Sequence, residues 1–290
     1  MQFSGSFVAI TTPFTADGES VDFKALKALI EWHIAQGTNG IVPCGTTGES
    51  ATFSHQEQAE VIRFVVETVA GRIPVIAGAG SNSTREAVEL ACAATAAGAN
   101  GILTITPYYN RPNQRGLYEH FRAVRECTSL PLVLYNVPSR TGTNLLPETA
   151  IRVAELGGIA AVKEASGKLE QVQELLDAGI GVLSGDDALT WPMMAMGAQG
   201  VISVVANIDP AAMAKLCRAA LAGDLTEARR CHGRIAALSK LAFMDTNPIP
   251  AKTALAAMGR MNEVFRLPLV PMTNDARNEL LAGLQELEVL

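Results

Sequence analysis

GANGILTI (98–105) holds a helix end and a strand start within one short stretch. Gly98 can adopt the left-handed backbone that stops a helix, and Gly101 opens an apolar run of strand length. The same form, G-x-[NQ]-G followed by two apolar residues, occurs in GTNGIV (37–42) and GAQGVI (197–202). Recurrence of a helix stop joined to a strand start marks a repeated αβ unit.

Extending that unit along the chain predicts eight strands: SFVAI (6–10), GIVPC (40–44), PVIAG (74–78), GILTI (101–105), LVLYN (132–136), IAAVK (159–163), GVLSG (181–185) and GVISV (200–204). Their near-continuous apolar character is that of parallel strands buried on both faces. Helical periods fill the gaps. Asp22 is placed to cap one helix that Gly37 ends, and Ser54 with Glu57, then Ser83 with Glu86, have capping-box spacing. Pro147, Leu169–Ala178 and Ala188–Met196 begin or fill later helices. Eight βα units over about 205 residues predict a (β/α)8 TIM barrel over 1–207, followed by C-terminal helices over 208–290 that comprise the last barrel helix and a helical extension. A doubly wound open sheet is the structural rival, but it seldom has eight strands so regularly spaced. Pro43, inside the second run, is tolerable only near a strand end or a bulge.

Composition narrows the function classes. Apolar residues make up 48% of the 290 and charged residues 18%, which fits a globular chain with a large core. A formal charge of −6 with no basic run argues against nucleic acid as the main partner. The five cysteines are an odd number without a CxxC pair, which favours a reducing compartment. The N-terminal MQFSGSFVAITTPF has no basic region before a long apolar stretch, and no run approaches a membrane span. A soluble, cytoplasmic protein is the expectation. The four histidines lack metal-ligand spacing, GAGSNSTRE lacks the full dinucleotide fingerprint, and Asp186-Asp187 reads as a helix N-terminus. The expectation is no metal and no cofactor.

Barrel active sites lie at the C-terminal ends of strands, so reactive side chains there are the candidates. Of the seven lysines, Lys163 alone belongs to a strand; the other six sit in helices or loops among polar or charged neighbours. It can be a solvated or ion-paired strand end. Alternatively it points into the barrel mouth on the same face as Ala161, where desolvation frees the amine to attack a ketone and form a Schiff base. Tyr135, ending the preceding strand, is either an aromatic filler or a proton shuttle. Thr46 and Thr47 in GTTGES (45–50) sit in a tight turn, a phosphate cradle without the Walker lysine, or a site for a carboxylate or a proton relay. Arg140 is a solvated loop arginine or a bidentate carboxylate ligand.

GTTGES (45–50), TPYYN (106–110), YNVPSRTG (135–142), KEASG (163–167) and SGDD (184–187), with NPIPAK (247–252) beyond them, resemble the dihydrodipicolinate synthase family of pyruvate-dependent Schiff-base aldolases. The resemblance spans nearly the whole chain. It implies that pyruvate condenses with Lys163 and that the resulting enamine attacks L-aspartate 4-semialdehyde, giving 4-hydroxy-tetrahydrodipicolinate for lysine and diaminopimelate biosynthesis. It further implies a relay of Tyr135, Thr47 and Tyr109, the last reaching a neighbouring subunit's site. Thr46 would help bind the pyruvate carboxylate and Arg140 the semialdehyde's, with Gly185 and Ile202 lining the site through their backbones. Relatives that are lysine-inhibited homotetramers imply an effector cleft of Ser50, Ala51, His55, Gln58, Asn82, Glu86 and Tyr108. Gln58 departs from the histidine of some lysine-sensitive members, and Glu86 can equally just complete its capping box. Two rivals stand beside this reading: a sister aldolase cleaving N-acetylneuraminate or a 2-keto-3-deoxy sugar acid with the same Lys163 and Tyr135, and a non-catalytic barrel that binds a small molecule.

Overall fold

The computed structural model describes residues 3–290. Among them eight parallel strands form one sheet: β1 (Gly5–Ala9), β2 (Gly40–Val42), β3 (Ile76–Gly78), β4 (Gly101–Ile105), β5 (Leu132–Asn136), β6 (Ile159–Glu164), β7 (Val182–Ser184) and β8 (Gly200–Ser203). Their order is β2-β1-β8-β7-β6-β5-β4-β3. Between β2 and β3 a single parallel bridge, Ile41 to Val75, closes the cylinder. Two backbone bonds reinforce that seam, Ile41 N–H to the Pro74 carbonyl and Gly78 N–H to the Pro43 carbonyl, each 3.0 Å. Pro43 thus lies just past the end of β2, where it lends only its carbonyl.

Helices α1 (Phe23–Ala35), α2 (His55–Val69), α3 (Thr84–Ala96), α4 (Gln114–Cys127), the four-residue α5 (Pro138–Thr141), α6 (Pro147–Ala154), α7 (Leu169–Asp177), α8 (Thr190–Met196) and α9 (Pro210–Leu221) complete the βα units. The repeat works as its spacing requires. Gly37, Gly98 and Gly197 all have positive φ at helix ends, and Gly40, Gly101 and Gly200 are the first residues of their strands. A Cβ on Gly40 would stand 2.2 Å from the Phe7 ring, so the second glycine makes room for the aromatic plug at the barrel floor.

Both predicted capping boxes are half built. Ser54 and Ser83 accept from the Glu57 and Glu86 amides, but neither glutamate carboxylate turns back to its cap. Glu57 pairs with Arg266 instead, and Glu86 accepts from Ser81 Oγ at 2.8 Å.

Alternate strand residues face inward. Phe7, Val42, Ile76, Leu103, Val133, Ala161, Leu183 and Ile202 form an interior cluster, separate from the larger apolar layer between barrel and helices. After α9 the chain continues as α10 (Leu225–Ala242), α11 (Ile249–Ala257) and α12 (Asn274–Glu286). Helix α10 packs along α9, and the segment from Phe243 to Asn247 returns over the mouth of the barrel.

Candidate active site

Period-2 alternation on β6 puts Ala161 and Lys163 inside the barrel and Glu164 outside. Glu164 is engaged there, accepting from Asn136 Nδ2 at 3.0 Å and Ser166 N–H at 2.6 Å. It is therefore no ion-pair partner for the lysine beside it. Lys163 is 6% exposed, and its Nζ stands 4.0 Å from the centroid of the Tyr135 ring, its register partner on β5. The neighbouring β7 is followed at once by Gly185, where a Cβ would come 3.2 Å from Lys163 Cε and 2.8 Å from Ala165 Cβ. Glycine at this position leaves the lysine its space.

Burial lowers the Lys163 ammonium to about 7. The carboxylate of Asp187 opposes this and Arg140 adds to it. Asp187 is fully buried, accepting from the Val204 N–H at 3.0 Å and from the Ser203 hydroxyl; burial raises its carboxyl to about 6 against those bonds. Its neighbour Asp186 caps the following turn through the Ala188 N–H, as the acidic pair predicts. Only one of the two carboxylates does so, and the other is a buried charge near the lysine. Burial also raises the Tyr135 phenol to about 12, so it stays protonated at neutral pH.

These groups open into a cavity of about 680 Å³, whose wall includes Thr46, Thr47, Tyr135, Arg140, Lys163 and Gly185. Arg140 stands there because β5 is followed at once by α5, with Pro138 at its first turn. Asn247, 5% exposed, links the two sides of the mouth. Its Nδ2 donates to Thr47 Oγ1 at 3.0 Å, and its backbone carbonyl accepts from Arg140 Nη2 at 3.4 Å. The Asn247 Oδ1 is buried without a partner.

Two residues on from Thr47, Glu49 is in the left-handed region at φ 55° and forms an ion pair with Lys252, both side chains wholly buried. Lys252 therefore departs from the expectation of a polar-environment lysine. Its nitrogen is 4.3 Å from the Phe14 ring centroid, and α11 holds it facing the barrel rather than solvent.

The other expected residues lie around and below these groups. Tyr109 is 90% exposed and does not line the cavity of its own chain. Ile202 is buried in the barrel interior beside its partner Phe7, below the cavity. Ser50, Ala51, His55, Gln58, Glu86 and Tyr108 line the same cavity, on the α2 and α3 side. Gln58 is fixed there by donation from Nε2 to the Gly78 carbonyl at 2.8 Å. Asn82 is outside that lining, and its carbonyl accepts from Asn110 Nδ2 at 2.9 Å. Asn247, Asp187, Glu49 and Lys252 lie in the quoted stretches NPIPAK, SGDD and GTTGES, but sequence alone assigns none of them a role in the site. The one signal for Lys252 was a charge set after apolar residues in NPIPAK.

No group of His, Cys, Asp and Glu side chains suited to a metal occurs among the described residues, and no helix is long and apolar enough to cross a membrane.

Residues 2–287 match the Dihydrodipicolinate synthetase family. A 4-hydroxy-tetrahydrodipicolinate synthase of Nitratidesulfovibrio vulgaris (strain Miyazaki F) is 56% identical over 276 residues, which cover 94% of each chain. Among solved structures, a chloride-inhibited dihydrodipicolinate synthase from Acinetobacter baumannii, complexed with pyruvate, superposes with a TM-score of 0.96 at 46% identity over 99% of both chains. A lysine-bound relative from Cyanidioschyzon merolae superposes with a TM-score of 0.96 at 40% identity over the whole of both chains. With a buried, depressed lysine at a barrel mouth and agreement over nearly its full length, this chain belongs to the Dihydrodipicolinate synthetase family.

Proposed function

We propose that this chain is a 4-hydroxy-tetrahydrodipicolinate synthase, condensing pyruvate with L-aspartate 4-semialdehyde through a Schiff base on Lys163. The observation that carries the reading is the Lys163 nitrogen, buried at the barrel mouth over the Tyr135 phenol and lowered to about 7. Near neutral pH a large fraction of such an amine is uncharged and nucleophilic. It attacks the pyruvate ketone, water leaves, and the iminium draws electrons from the methyl carbon. Loss of a methyl proton gives the enamine, which forms the carbon–carbon bond to the aldehyde. The amino group of the second substrate then displaces Lys163 as the ring closes.

Tyr135 carries protons in these steps, since its phenol remains a donor until a base takes its proton. The two threonines divide the remaining work. Asn247 holds Thr47 Oγ1 as an acceptor, which leaves the Thr47 hydroxyl proton to be donated to the pyruvate carboxylate. Thr46, half-buried in the cavity wall, suits the mobile relay position. This exchanges the parts that the family resemblance gave the two residues. Arg140 binds the semialdehyde's carboxylate at the entrance. Tyr109, exposed beside the mouth, serves the site of a neighbouring subunit in a homotetramer. The α2–α3 arm of the cavity is the candidate effector site for lysine, where the Glu86 carboxylate suits an ammonium. The relatives' activity and the Thr-Thr, Arg140 pattern favour the synthase over a sugar-acid lyase.

The test is borohydride reduction in pyruvate followed by mass spectrometry, beside an assay with both substrates. A stable adduct on Lys163, absent from Lys163→Ala, and turnover of the semialdehyde are expected. Faster cleavage of N-acetylneuraminate or a deoxy sugar acid would overturn the assignment, and absence of any adduct would favour a mere binding barrel.

A further inference from the structure

Two contacts join the GTTGES stretch to the C-terminal segment. Thr47 accepts from Asn247 Nδ2 at 3.0 Å, and Glu49 pairs with Lys252. On the turn the anchor points are two residues apart; on the segment the second falls inside α11, which begins at Ile249. Glu49 is held further by the Arg266 backbone N–H at 3.1 Å. Lys252 is enclosed by the rings of Phe14 and Phe265, with its nitrogen 4.3 and 5.2 Å from their centroids.

A wholly buried ion pair is a poor device for stability, because desolvating both charges offsets most of their attraction. Apolar replacements of similar volume are often neutral or better. What such a pair supplies, and an apolar contact does not, is direction: the carboxylate fixes where the turn stands relative to α11. Glu49 also occupies a left-handed backbone conformation, which costs a non-glycine residue and persists only where the surroundings enforce it. The carbonyl of Asn247 meanwhile accepts from Arg140, so one residue touches both groups assigned to substrate carboxylates.

We propose that Asn247 and the buried Glu49–Lys252 pair are positioning residues, through which the C-terminal helices set Thr47 against Lys163. Neither charge of the pair touches substrate. The inference rests on the proposed role of Thr47 in binding the pyruvate carboxylate. Its specific consequence is that the extension controls pyruvate recognition rather than the chemistry of the amine.

The experiment compares the parent with Glu49→Gln/Lys252→Met, which removes both charges together, and with Asn247→Ala, which breaks only the contact to Thr47. Thermal midpoint, steady-state kinetics and the saturation of borohydride trapping by pyruvate are measured for each. The expected result is a folded double variant with a midpoint close to the parent's. The pyruvate concentration needed for half-maximal trapping rises about tenfold or more, as for a lost hydrogen bond to a charged group, while saturating pyruvate still labels Lys163 fully. Asn247→Ala should show the same rise. Unchanged half-saturation in either folded variant overturns the inference. So does a double variant that fails to fold while Asn247→Ala keeps normal pyruvate saturation, because the pair is then structural only. Should the parent itself trap no pyruvate, the synthase reading fails first, which the parent control reveals separately.

Discussion

Tyr135 and Lys163 are register partners on β5 and β6, and the lysine nitrogen lies 4.0 Å from the centroid of the tyrosine ring. The ring face attracts a cation by about 0.5–2 kcal/mol. Burial disfavours that cation by on the order of 5 kcal/mol, judged from its fall to about 7. Burial wins, and the ring becomes the wall against which an uncharged amine waits. The same stacking brings the phenol of a proton carrier to the nitrogen whose imine it serves.

The rate of pyruvate trapping on Lys163 should rise with pH and reach half its plateau near pH 7, since only the free amine attacks. Trapping followed by mass spectrometry between pH 5 and about 9 checks this; a midpoint near the ordinary lysine value of about 10.4 would remove the desolvated amine from the mechanism. Stability is linked to the same group. Its folded value lies below its unfolded one, so the unfolded chain binds the extra proton between about 7 and about 10.4, and stability rises with pH across that window. Lys163→Met should remove this rise, as a series of melting curves would show.

Tyr135→Phe should keep the fold, since the ring remains in the interior cluster, and reduce turnover by about 10²- to 10⁴-fold for loss of a proton carrier. Circular dichroism and steady-state rates report the two halves separately. Unchanged turnover would leave Tyr135 as packing alone.

Thr46→Val and Thr47→Val should differ in kind. Loss of the Thr47 hydroxyl removes a bond present in both ground and transition states, so it should chiefly raise the KM for pyruvate. Loss of Thr46 should chiefly lower kcat. Initial rates over a pyruvate series distinguish them, and the opposite pattern restores the original assignment of the two roles.

Lys252→Met alone should destabilise the fold by about 3–5 kcal/mol, because it leaves the Glu49 carboxylate buried and unpaired. Chemical denaturation of the single variant measures this. A loss under about 1 kcal/mol would mean that the carboxylate finds water or takes up a proton without strain.

The strands were legible because parallel strands buried on both faces read as apolar runs, and the helix stops because glycine alone takes positive φ without cost. All eight runs became strands, with ends moved by at most two residues, as at Pro74 and Val75, which precede β3. Lys163 was legible too, since one lysine in an apolar strand stands out by elementary solvation. The second buried lysine was not. Lys252 follows Pro250 and Ala251 in a short helix, and helical spacing cannot say whether a face meets solvent or a barrel.

Sequence by itself determined the barrel, the strand ends where chemistry gathers, and the lysine, tyrosine, threonine and arginine offered there, because all of these follow from periodicity and local backbone preference. Tertiary structure alone decided that Asn247 meets Thr47, that Lys252 meets Glu49, and that Asp187 lies buried near Lys163. Those contacts join residues 200 and 203 positions apart for the first two pairs. Their energy depends on desolvation and direction, which exist only once the chain has closed around them.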